Sequence, residues 1–92
     1  MSNEYFRKLL EENINKIKLL PPEFSDIPLN QYKIFCDARL NKLITDFNIM
    51  QYDYNNFTAF YKNTYLPQCK YIKLLMATHN LFNLVNNIND TI

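Results

Sequence analysis

PQCKYIKLLMATHNLFNLVNNI, residues 67–88, is the most apolar stretch of the chain, and the other segments read as its cover. At 100° per residue, Tyr71, Leu74, Leu75, Ala77, Leu81, Phe82, Leu84, Val85 and Ile88 share one half of a helical wheel. Lys73, Asn80, Asn83 and Asn87 fall on the other half, with His79 and Asn86 at its edge. Ordinary surface helices carry a narrower apolar stripe, so this segment is expected in a groove between at least two neighbours.

The chain has 92 residues and no glycine. Tight hairpin turns need positive φ, and glycine is its usual supplier. Gly-rich phosphate loops and dinucleotide fingerprints are excluded outright. The reading is an all-α fold: a single domain over 1–92, built as a compact bundle of three to four helices. Helix should exceed roughly 60% of residues, well above the usual third. Abundant lysine, asparagine, isoleucine and tyrosine match AT-rich codons. A genome of that bias, as in a large DNA virus, a phage or a microbial parasite, accounts for the asparagines without a functional role.

Working outward from 67–88, the remaining helices follow from the same periodicity. Residues 3–20 place Phe6, Leu9, Leu10, Ile14, Ile17 and Leu20 on one arc, with Asn13 at its edge. Ser2 or Asn3 can cap this helix, and Pro21-Pro22 end it. Residues 21–28 read as a stiff, extended connector anchored by Phe24 and Ile27. A helix over 29–50 carries a main stripe of Leu29, Tyr32, Cys36, Leu40, Leu43, Ile44, Phe47 and Met50. Ile34, Phe35, Ala38 and Ile49 form a second, smaller stripe on its other side. A shorter helix over 54–65 is capped by Asp53 or Asn55 and contributes mainly aromatics. Pro67 either breaks or kinks the chain, and Thr64 as a cap favours a fresh start for 67–88. The polar tail from Asn89 should fray.

Ten Lys and Arg against nine Asp and Glu leave a net charge of +1. That balance argues against nonspecific nucleic-acid binding as the main activity. Two cysteines and one histidine are too few for a zinc site, so no metal and no cofactor are expected. Whether Cys36 and Cys69 pair depends on geometry. Catalysis has little to stand on. His79 has no nucleophile at productive spacing, and Cys69 precedes it by nearly three helical turns. No apolar leader and no membrane-length run occurs, so an intracellular, cytoplasmic protein with no membrane partner is expected.

Two binding readings remain. A helix that is apolar on two sides buries both or leaves a patch exposed. On this reading the chain is a small non-enzymatic protein–protein interaction module: an adaptor, inhibitor or assembly subunit, self-associating or docked to another protein. Ile34, Phe35, Ala38 and Ile49 would form the interface, with no small-molecule substrate. The alternative is a nucleic-acid-binding accessory protein. Residues 60–73 interleave aromatics and lysines without an acid, so Tyr61 and Tyr65 could stack bases while Lys62, Lys70 and Lys73 meet phosphate.

Overall fold

The computed structural model describes residues 3–90, with side chains from residue 4 to residue 87. Helix accounts for 88% of the structure, and the described residues contain no strand. Among the described residues none adopts positive φ, in keeping with the missing glycine, and the turns lie at helix ends and prolines.

Helix α1 spans Asn3–Ile17 and stops short of the expected residue 20. From Lys18 the bonding tightens, with Leu19 N–H donating to the Lys16 carbonyl and Leu20 N–H to that of Ile17 at 3.0 Å. The cause is Pro21-Pro22, because a residue before proline is pushed out of the α region. The Ser2 cap and the Ile88 side chain lie outside the described residues.

The connector is not extended throughout, as the sequence reading had it. Pro22 occupies the first turn of a short helix α2, Pro22–Ser25, where its fixed φ suits a helix start. This turn drives Phe24 fully into the core. Pro28 then leads through a 3-10 turn, Leu29–Gln31, into α3, Tyr32–Met50.

Asp53 caps α4, Tyr54–Phe60, its carboxylate accepting from the Asn56 backbone N–H at 3.4 Å. The chain then continues without a break through a π turn, Tyr61–Tyr65, into α5, Leu66–Asp90. Pro67 therefore neither breaks the helix nor starts a new one. In a regular α turn its ring would press on the Asn63 carbonyl and its missing N–H would leave a gap. The π turn widens the helix just ahead of it, and Leu66 N–H bonds back to Tyr61. Helix α5 is continuous as far as Asp90, and the rest of the tail that the sequence expects to fray lies outside the described residues.

At 1.5 Å per residue, a helix running from Tyr54 to Asp90 spans about 55 Å. The molecule measures 56 × 22 × 21 Å, so it is one long helix with a second layer beside it. That second layer is α3 and α1 placed one after the other. The Cys36 thiol lies 3.8 Å from the Ile72 carbonyl, and the Phe47 ring packs on Phe57 and Tyr65, so α3 runs antiparallel to the first half. α1 packs on α5 beyond α3, and Thr78 and Val85 are buried along α5. The core sits where these pieces meet: Ile17, Phe24, Tyr32, Cys36, Leu43, Ile72 and Leu75.

The successive neighbours explain where the wheel of 67–88 misleads. Ile72 and Thr78 are buried although neither belongs to the expected apolar half, whereas Ala77 and Leu84 inside it are exposed. α3 packs on the first part of α5 and α1 on the stretch beyond it, so the buried positions change where one neighbour gives way to the next. The Thr78 hydroxyl donates to the Leu74 carbonyl at 2.7 Å, which satisfies it in a site closed to water.

Candidate protein-binding face

α3 is apolar on more sides than a two-layer molecule can cover. Tyr32, Cys36 and Leu43 point into the core as the main stripe requires. Leu40 and Ile44, assigned to the same stripe, stay 39% and 45% exposed, because the long helix covers only one side. The second stripe also divides. Ile34 and Ile49 are 66% and 64% exposed, and Ala38 is exposed between them. Phe35 instead turns inward, meeting Phe24 edge-on at 5.5 Å. One position along a helix rotates a side chain by about 100°, which is enough to separate Phe35 from Ile34.

The outward face is thus Ile34, Ala38, Asn41, Thr45 and Ile49, all solvent-accessible. Ion pairs flank it on both sides, Lys33–Asp37 at 3.2 Å and Lys42–Asp46 at 2.7 Å. At its Ile49 end it opens on a cleft of about 180 Å³ lined by Asp46, Ile49, Met50 and Phe60. Asp46 is the acid of the flanking pair, and the rest of the lining is apolar.

Behind the face sits a residue that periodicity does not single out. The Arg39 guanidinium lies 5.4 Å from the Phe24 ring centre and 5.2 Å from that of Phe35. Its Nη1 donates to Glu23 at 3.3 Å and to the Gln68 side chain at 3.1 Å. One cation therefore ties α2, α3 and α5 together. The available signal was its position one helical turn after Phe35.

The residues of the nucleic-acid reading lie at the other layer. Tyr61 and Tyr65 stack on each other at 5.6 Å and 16°, and Phe57 stacks on Tyr61 at 5.8 Å. Phe47 packs against Tyr65 at 5.0 Å. The rings therefore spend their faces on one another. Burial, and after it the neighbouring Cys69 thiol, raises the Tyr65 phenol above its ordinary pKa. Lys62, Lys70 and Lys73 are exposed. Lys70 projects about 140° around α5 from Tyr65 and Lys73 about 80°.

His79 is within 3.2 Å of the Asn83 side chain, one turn along its own helix. Both cysteines are free, so the pairing the sequence left open is not formed. Burial, then the nearby Asp37 charge, pushes the Cys36 thiol up to about 11, and burial likewise raises the Tyr32 phenol. No group of three or more His, Cys, Asp or Glu among the described residues could hold a metal ion. No helix among them is long and apolar enough to cross a membrane. Comparison with protein-family models, curated proteins and solved structures finds no match to this chain.

Proposed function

We propose that this chain is a non-enzymatic protein–protein interaction module, an adaptor, inhibitor or assembly subunit working in the cytoplasm, which docks through the outward face of α3. The observation that carries this reading is the exposure of Ile34 and Ile49 at opposite ends of one face, with small residues between them. Each isoleucine left in water forgoes roughly 1.5–3 kcal/mol of burial, so a complementary surface has a drive to cover both. The cleft beside Ile49 adds a concave seat for an apolar side chain. A Cys36 thiol held neutral near the Ile72 carbonyl supports a structural role for that residue over a nucleophilic one.

A photo-crosslinking amino acid at position 34 or 49, introduced in producing cells, tests the reading. Leu19 and Tyr52, 87% and 85% exposed, supply equally accessible control positions. Discrete protein adducts from 34 and 49 but not from 19 and 52 are expected. Equal labelling at all four positions, or none at 34 and 49, refutes the docking face.

A further inference from the structure

Resting on that docking face, we infer that its occupant is a second copy of this chain, laid antiparallel on α3 about a two-fold axis between Asn41 and Lys42. The face reads the same from either end. Counted from that axis, Ile34 stands opposite Ile49 of the other copy, Ala38 opposite Thr45, and Asn41 opposite Lys42, one position from its own equivalent. Thr45 behaves as a small apolar residue here, because its hydroxyl is spent on the Asn41 carbonyl at 2.9 Å and its methyl is what remains to offer. Large residues at the ends, small ones inside them and an amide at the centre make a self-complementary patch, which is what a two-fold interface requires.

Charge agrees with this occupant. Each flank carries one Lys and one Asp already paired, so two copies meet as neutral surfaces. Lys42 approaches its own equivalent near the axis, and Asp46 at 2.7 Å neutralises it there.

Sedimentation velocity of the full chain under reducing conditions, from about 10 μM to 1 mM, reads the association directly. A monomer–dimer shift with concentration is expected. Ile34→Glu and Ile49→Glu should each weaken the dimer about tenfold or more, since symmetry places every substitution in the interface twice. Both should keep the parent's helical circular dichroism, and Ile34→Asn and Ile49→Asn carry the test if either glutamate variant does not. The double variant Ile34→Glu/Ile49→Lys should recover association in a salt-sensitive way, because the two sites are about 22 Å apart within one chain but adjacent across the axis. Ile34→Glu/Ile49→Glu should not recover.

A parent that stays monomeric throughout overturns the second copy as occupant, while crosslinking at 34 and 49 still decides the docking face. A dimer indifferent to both glutamate variants overturns the inference and the docking face together. Loss of association without recovery in the Glu/Lys variant overturns the antiparallel arrangement.

Discussion

Arg39 shows how one side chain can hold a corner that no stripe of apolar residues specifies. Its two ring contacts and its bond to Gln68 are sheltered, whereas its 3.3 Å pair with Glu23 is half in water. Arg39→Ala should therefore cost about 1–3 kcal/mol in a thermal or urea melt. Glu23→Gln should cost no more than about 1 kcal/mol. Arg39→Lys should recover only part of the loss, since an ammonium cannot lie flat on two rings. Cys36 makes a prediction of the opposite kind, in pH. Burial, then the nearby Asp37 charge, pushes the folded thiol up to about 11 from its ordinary 9.0, so the unfolded chain gives up this proton first as pH rises. The stabilisation is complete below pH 9 and is lost between 9 and 11, at up to about 1.4 kcal/mol per pH unit. Urea unfolding across that window should show the slope in the parent and a shallower one in Cys36→Ala. Buried identities such as Tyr32, Cys36, Leu43 and Val85 were legible from spacing, because 3.6-residue periodicity marks a face. Arg39, Thr78 and the inward turn of Phe35 were not. Their roles depend on where Phe24 and α1 arrive from elsewhere in the chain.

Among the elements, the π turn is the one that sequence periodicity does not reveal. Pro67 signals that a regular α-helix fails near it, but the same signal fits a break, a kink or an inserted residue. The aromatic run settles the outcome physically. Phe57, Tyr61 and Tyr65 stack along one edge while Phe47 packs against them, and a broken helix would scatter those rings. Deleting the exposed Asn63 should return the turn to α period with the flanking faces nearly in phase, because a π turn takes up one extra residue within a turn. It should also press the Pro67 ring on the carbonyl four residues before it, at a cost of roughly 3 kcal/mol in a urea melt. Asn63→Ala should melt within a few degrees of the parent. A deletion variant as stable as the parent would show that the π turn relieves no clash at Pro67. Helix existence was legible for all the long segments, and the early stop of α1 and the helical turn at Pro22 follow from proline rules once the corner is known.

At the scale of the whole molecule, length is the quantity the sequence left open. Its Cα radius of gyration is 16.1 Å, against roughly 12 Å for a compact domain of this size. Apolar stripes say that helices pack, but not whether α1 and α3 share one side of α5 or follow each other along it. That choice decides the docking face, since a three-layer bundle would have covered Ile34 and Ile49. It also bears on nucleic acid. With the rings stacked on one another and a net charge of +1, anisotropy titration with single-stranded DNA should show no binding at physiological salt. Salt-sensitive binding that is lost on replacing Lys62, Lys70 and Lys73 by alanine would reverse that expectation.

The end-to-end second layer also sets an order of events during synthesis. α1 is translated well before α5, the helix on which it packs. All of α3, α4 and the π turn are translated in between, and their mutual contacts are closer in sequence and quicker to close. The nascent chain therefore holds a finished hairpin while Phe6, Leu10 and Ile17 wait in water. Those few residues stay uncovered in the nascent chain until α5 has been made.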